Sequence, residues 1–160
     1  MPGQREIITS KVALEKAMRF CAYQERSQMD VRNKLLEWGV DEATTEGIIA
    51  ELITENFLSE ERFTEAFING KLKIKHWGRK KIIQGLKLRQ VSEYSIREGM
   101  NSIDEAEYLQ ILEEEFCKKN NTFSNPLTFE NKGKIARYLI QKGFEPELVW
   151  QKIKEKEHGK

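Results

Sequence analysis

Proline, cysteine and histidine are scarce in these 160 residues: there are 3 Pro, 2 Cys and 2 His. Two lone cysteines, Cys21 and Cys117, cannot build a disulfide framework, and with no CxxC or HExxH spacing they offer no zinc site either. His76 and His158 are the only histidines, and neither Cys21 nor Cys117 has one nearby in sequence. No apolar run approaches the roughly 18 residues of a membrane span. Met1–Ser10 has only the pair Ile7–Ile8 where a signal peptide would carry its hydrophobic stretch, so a soluble, cytoplasmic protein is expected. Charge of one sign is lacking overall, since 27 Lys plus Arg face 26 Asp plus Glu, which excludes a molecule that binds polyanions through its net charge alone. Alternating strand-like stretches are also missing. Gly78-Arg79-Lys80-Lys81 has the charge of a phosphate-binding loop without its glycine spacing or preceding strand, and the consecutive carboxylates Glu113, Glu114 and Glu115 would point in different directions on a helix. No enzyme, cofactor or metal site is therefore expected.

What is present is helical periodicity. Apolar residues recur three and four apart, as in Leu14, Ala17, Met18, Cys21 and in Leu109, Leu112, Phe116, and Glu, Lys, Leu and Ala dominate. The pattern repeats. Val31, Leu35 and Val40 align with Ile82, Leu86 and Val91 at an offset of 51 residues, and these with Ile135, Leu139 and Phe144 at 53. Thr45, Ile49 and Leu52 continue the match to Ile96, Met100 and Ile103, then to Val149 and Ile153. The spacing predicts an all-α, elongated and curved array of three tandem three-helix repeats. Their first helices are expected at about Lys11–Glu25, Ser59–Lys75 and Asp104–Lys119. Their second helices end near Gly39, Gln90 and Gly143, and their third are entered through Asp41, Ser92 and Glu145. Repeat boundaries fall at 11–57, 58–103 and 104–156, after a flexible N-terminus at 1–10 and with a surface loop at 120–129. Each unit of about 50 residues buries only a marginal core, so neighbours are expected to pack edge to edge.

Charge is segregated along this array. Lys71, Lys73, Lys75, Arg79, Lys80, Lys81, Lys87 and Arg89 lie in one stretch without an acid. Asp41–Glu65 and Glu93–Glu115 flank it with eight acids each. Lys132, Lys134, Arg137 and Lys142 form a smaller basic group. On a wheel of Arg79–Gln90, Ile82, Ile83 and Leu86 face inward, while Lys80, Gln84 and Lys87 share an outward flank. Isolated lysines on a polar face do no more than keep a helix hydrated, but eight together point to a polyphosphate or an acidic protein groove. Trp77, between His76 and Gly78, is read as packing over a helix junction, with stacking on a base or seating in a partner pocket as the alternatives.

Arg26-Ser27, Lys34-Leu35, Gly39, Phe57-Leu58, Arg62-Phe63, Ala66-Phe67, Trp77-Gly78, Lys134-Ile135 and Gly143-Phe144, in this order and spacing, make the chain resemble the RecX family of bacterial RecA regulators from about Ala13 to Lys152. Ser59 and Gln90 depart from the family pattern, which has an acidic helix entrance and a glycine there; both alter turn chemistry rather than surface charge. The resemblance implies a monomeric, non-enzymatic protein that docks into the groove of the RecA–DNA filament. It would inhibit strand exchange and the co-protease activity that sets off the SOS response, in DNA repair and recombination. Single- or double-stranded DNA would be a further partner. Lys71, Lys73, Lys75, Arg79, Lys80, Lys81, Lys87, Arg89, Lys132, Lys134 and Arg137 are the expected contacts. The alternative is a direct DNA-binding module of helix-turn-helix type, although the most basic helix presents few side chains suited to reading bases.

Overall fold

A computed structural model describes residues 8–123 and 127–158, and among them there are nine α-helices and no strand. The helices are α1 (Ser10–Tyr23), α2 (Gln28–Glu37), α3 (Glu42–Thr54), α4 (Glu60–Lys73), α5 (Arg79–Leu88), α6 (Glu93–Asn101), α7 (Glu105–Asn120), α8 (Phe129–Gln141) and α9 (Pro146–His158). The three first helices lie within two residues of the expected spans. Residues 1–7 of the expected flexible N-terminus and 124–126 of the expected loop lie outside the described residues.

Local chemistry accounts for where the helices start. Thr9, Ser27, Asp41, Ser59, Ser92, Asp104 and Thr128 each sit at an N-cap and accept a hydrogen bond from a backbone N–H of the first turn. At α2 the Asp30 carboxylate also reaches back to the Ser27 N–H, completing a capping box. Pro146 opens α9, where its missing N–H costs nothing. The second helices all stop through a residue of positive φ: Gly39 (81°), Gln90 (58°) and Gly143 (101°). In each case the residue after it donates its N–H to the carbonyl of the central core leucine, Leu35, Leu86 or Leu139.

All nine residues of the first repeat alignment are buried, and Leu35, Leu86 and Leu139 are at 0% exposure. The cores are nevertheless unequal. Repeat 1 has its own, from Ala13, Ala17 and Cys21 on α1 through Val31 and Leu35 to Ile48, Ile49, Leu52 and Leu58. Repeats 2 and 3 share a single larger core, in which Phe63, Phe67, Ile82 and Leu86 are continuous with Tyr108, Leu112, Phe116, Ile135, Leu139 and Phe144. Edge-to-edge packing of three marginal cores thus gives way to one fused pair and one separate unit. The fusion comes from α7, which packs on α4 as well as on α8 and α9. On α7 Leu112 and Phe116 face inward as the periodicity predicts, joined by Tyr108, Ile111 and Glu115, whereas Leu109 is exposed.

Among the described residues, Leu58 carries the chain into repeat 2 from within the repeat 1 core, and the side-chain hydrogen bonds across this boundary come from Arg62. Arg62, at the start of α4, donates from Nε to Glu25 Oε1 (2.9 Å), from Nη1 to Asn56 Oδ1 (2.7 Å) and from Nη2 to the Asn56 carbonyl (2.9 Å). One guanidinium therefore ties the α1–α2 turn to the end of α3.

Candidate functional site

The basic stretch of the middle repeat is divided by the fold into cations that build the repeat 2–repeat 3 junction, cations that lie on aromatic rings, and cations that face solvent. The junction is set by two glycines. The Gly78 N–H donates to the Lys142 carbonyl (2.7 Å) and the Lys80 N–H to the Gly143 carbonyl (3.0 Å). A Cβ on Gly78 would lie 2.2 Å from the Gly143 carbonyl carbon, so only glycine permits the two backbones to meet.

Arg79 belongs to this junction. Its guanidinium pairs with Glu145 (2.9 Å) and with Glu105, and it covers the Tyr108 ring at 3.8 Å. The Tyr108 hydroxyl accepts from the Arg79 N–H (3.0 Å) and donates to Glu145. Burial and the neighbouring Glu145 carboxylate both push the Tyr108 phenol well above its ordinary pKa, so it stays protonated as that donor. Arg79 is thus not one of the uncompensated charges suggested by its neighbourhood in sequence.

A second network locks the same junction. Glu115, on α7, is 3% exposed and accepts from His76 Nδ1 (3.0 Å), the Tyr138 hydroxyl (2.8 Å) and Lys142 Nζ (2.9 Å). Lys142 Nζ also donates to the Lys75 carbonyl (3.0 Å). Burial pushes the Glu115 carboxyl up, but the bonds from Lys142, His76 and Tyr138 outweigh it and hold its pKa at about 2. Further along α7, Glu113 pairs with Lys152 (2.8 Å) and Lys156 (2.7 Å) of α9, and these contacts outweigh partial burial to bring it also to about 2. Glu113 thus turns toward α9, while Glu114, with Oε2 4.0 Å from His76 Nε2, lies on the same imidazole as Glu115. Among the described residues no group of three or more His, Cys, Asp or Glu is placed to hold a metal ion.

Trp77 packs edge-on against Phe67 with centroids 6.4 Å apart, and Lys71 (4.7 Å) and Lys81 (4.4 Å) lie over its ring. Arg89 lies over Phe67 at 4.9 Å and donates to the Gly85 carbonyl. These three cations are half-buried along their stems. Lys73 pairs with Glu107 at 3.7 Å. Lys75, Lys80 and Lys87 are exposed and have no ion-pair partner among the described residues. In repeat 3, Lys132 pairs with Glu157 and Lys134 with Glu130 (3.6 Å), whereas Arg137 is exposed and unpaired among the described residues.

The acidic flank has a place of its own. Glu61 and Glu65 on α4 and Tyr94 and Glu98 on α6 rim a groove of about 410 Å³ floored by Thr64 and Gly99. The basic and acidic bands are therefore features of the folded surface as well as of the chain.

The buried roles of Tyr108, Glu115 and Glu145 are absent from the sequence reading. For Glu115 a signal existed, since it stands four residues after Ile111 and three after Leu112, on the inward arc of α7. For Glu145 and Arg79, 66 residues apart, none did.

Three tandem three-helix units, two fused and one tethered, carrying a divided basic surface, define an all-helical repeat protein. The chain belongs to the RecX family: the family models of the first, second and third RecX three-helix domains match residues 13–52, 59–100 and 105–153. A regulatory protein RecX of Clostridium beijerinckii is 30% identical over 142 residues, covering 88% of this chain and 66% of that protein. One of Clostridium tetani is 29% identical over 140 residues, covering 86% and 62%. One of Prosthecochloris aestuarii is 25% identical over 146 residues, covering 91% and 94%. The chain thus spans about two thirds or less of the two clostridial relatives. A crystal structure of RecX from Lactobacillus salivarius superposes with a TM-score of 0.80 at 19% identity, over 91% of this chain and 95% of that one. Another, of a regulatory protein RecX, gives 0.81 at 19% identity over 91% and 71%. Both likenesses concern the fold. Among the described residues no helix is long and apolar enough to cross a membrane.

Proposed function

We propose that this chain is a non-enzymatic regulator that binds the RecA–DNA filament in its groove and inhibits strand exchange and co-protease activity. The observation that carries this reading is the match of all three helical units to the three RecX domains in order, which spans the array from residue 13 to residue 153. The surface suits such a partner. A filament groove displays both phosphate and protein, and alternating acidic and basic bands complement that mixture better than they complement free DNA. The cations proposed to make contact are Lys75, Lys80, Lys87 and Arg137, which are exposed, with Lys71, Lys81 and Arg89 reaching out from aromatic rings and Lys73, Lys132 and Lys134 exchanging an internal partner for an external one. Arg79 contributes by holding the junction rather than by direct contact.

Direct major-groove binding is disfavoured at α5. Its first two backbone N–H groups are taken by Tyr108 and Gly143, so its N-terminus offers less to a phosphate than a free helix end does.

The test is co-sedimentation with preformed RecA filaments against naked single-stranded DNA at matched salt. Wild-type protein is expected to pellet with filaments and to lose affinity as salt rises. Reversing Lys80 and Lys87 to Glu is expected to weaken association at least tenfold and to flatten the salt dependence, with the helical circular-dichroism signal unchanged. Equal binding by a folded double variant across the salt series would exclude this face, and binding to DNA alone with no preference for filaments would favour the helix-turn-helix reading.

A further inference from the structure

The outward face of α5 is built differently from the corresponding face of every other repeat. Lys80, Ile83, Gln84, Lys87 and Leu88 stand at i, i+3, i+4, i+7 and i+8, which places them in one stripe, and together they line a shallow open depression of about 350 Å³. Leu88 is 68% exposed and Ile83 half-buried, while Ile82, Gly85 and Leu86 on the opposite side enter the core. α5 packs on α4 and α6, and Lys80, Gln84, Lys87 and Leu88 of the stripe are exposed. At the repeat offsets the same stripe reads Met29, Arg32, Asn33, Leu36, Glu37 on α2 and Gly133, Ala136, Arg137, Ile140, Gln141 on α8. In the α2 stripe the single cation, Arg32, is already held by Glu46 through two hydrogen bonds (2.7 and 3.0 Å). The α8 stripe has the single cation Arg137, and its Ala136 is buried. Of the three stripes, that of α5 alone among the described residues combines two unpaired lysines with an exposed Leu88 and a half-buried Ile83 beside it.

We infer that this α5 stripe is a docking face for an acidic amphipathic segment of a protein partner, which seats apolar side chains on Ile83 and Leu88 between carboxylates that pair with Lys80 and Lys87. The inference rests on the regulatory reading above and narrows its contact at α5 to protein rather than DNA. Charge complementarity and the aliphatic centre choose the occupant together. Lys80 and Lys87 are seven residues apart, about 10 Å along the axis, which matches two carboxylates two turns apart on a facing helix. A phosphodiester backbone would satisfy the lysines but would leave Ile83 and Leu88 against a charged, hydrated surface. An apolar helix without acids would cover the leucine and strand two ammonium groups at the rim. Gln84, between them, can donate to or accept from a facing backbone or side chain.

The test uses the full chain and a synthetic amphipathic helical peptide with Leu along one face and Glu flanking it at seven-residue spacing. A Lys-for-Glu peptide and oligothymidylate serve as controls. Amide chemical-shift mapping reads the site and fluorescence anisotropy the affinity. The acidic peptide is expected to perturb residues 80–88 and the basic peptide not. Leu88→Ser, at an exposed position that leaves the core intact, is expected to weaken the acidic peptide about tenfold and leave oligothymidylate unchanged; Lys80→Gln with Lys87→Gln is expected to weaken the peptide comparably. Perturbation of α5 by oligothymidylate instead of the peptide, equal affinity in Leu88→Ser, or no response of residues 80–88 to the peptide would each overturn the assignment. Failure of the wild-type chain to pellet with RecA filaments while still binding the peptide at α5 would sink the filament reading and retain the docking face. Normal pelleting by wild type and Leu88→Ser alike, without a peptide response, would do the reverse.

Discussion

Glu115 carries a negative charge at 3% exposure between two repeats, and its ordering effect depends on three donors from three different places: the α4–α5 connection, α8 and the end of α8. Removing one partner from such a buried set leaves the others without a counterpart, which is costlier than the net worth of the intact pair. The carboxyl pKa lies at about 2 in the fold against 4.5 ordinarily, so its contribution is present above about pH 5 and is lost as pH falls from there toward 2. That shift corresponds to ~3 kcal/mol. Glu115→Gln is therefore expected to unfold ~3 kcal/mol more easily than wild type at pH 7 in urea, with the difference shrinking toward zero near pH 2. Glu113, held at about 2 by Lys152 and Lys156, leaves the variant with a residual acid sensitivity of its own. A constant difference from pH 7 to pH 2 would show that the cost is steric and not electrostatic.

At the scale of the element, the three second helices end in the same manner with different chemistry. Gly39 and Gly143 adopt positive φ freely, but Gln90 holds φ 58° with a side chain attached. A non-glycine residue in that region is disfavoured by roughly 1–2 kcal/mol, part of which glycine gives back through its greater unfolded-state freedom. Gln90 is exposed, so no packing is lost on its replacement. Gln90→Gly is expected to raise stability by about 0.5–1 kcal/mol, read as a higher urea midpoint at unchanged slope. The turn at Gln90 thus carries a strain that the turns at Gly39 and Gly143 do not. Gly78 lies outside this logic: its φ is −77°, and it is needed because the Gly143 backbone approaches where a Cβ would stand.

For the molecule as a whole, two separate cores of unequal size are expected to unfold in two events. Repeat 1 buries ten apolar residues apart from the rest, whereas repeats 2 and 3 bury eighteen in common. Leu35→Ala and Leu86→Ala each remove a fully buried leucine at equivalent places and should each cost ~2–5 kcal/mol in their own unit. Leu35→Ala is expected to loosen only repeat 1 in native-state hydrogen exchange, with amides of α4–α9 keeping their protection, and Leu86→Ala is expected to loosen repeats 2 and 3 together. Uniform loss of protection across all nine helices in either variant would show that the tether couples the cores into one cooperative unit.

The sequence by itself determined the helical class, the three-fold repetition and the helix starts, because these depend on interactions within a few residues: 3.6-residue periodicity, Ser, Thr and Asp at N-caps, and a turn after each second helix. The core leucines at offsets of 51 and 53 were legible for the same reason, and the ordered motifs carried the family. Tertiary structure alone decided which cations stay free. Arg79 and Lys80 are neighbours in the chain, yet Arg79 meets Glu145, 66 residues away, while Lys80 faces solvent. It also decided that α7 turns Tyr108 inward where Leu109 was expected, since the phenol finds partners in Arg79 and Glu145 that the α7 pattern does not contain. Local order is encoded in short windows that a periodic pattern exposes, but charge compensation and core fusion depend on which distant segments meet. That meeting is settled by the packing of all nine helices at once.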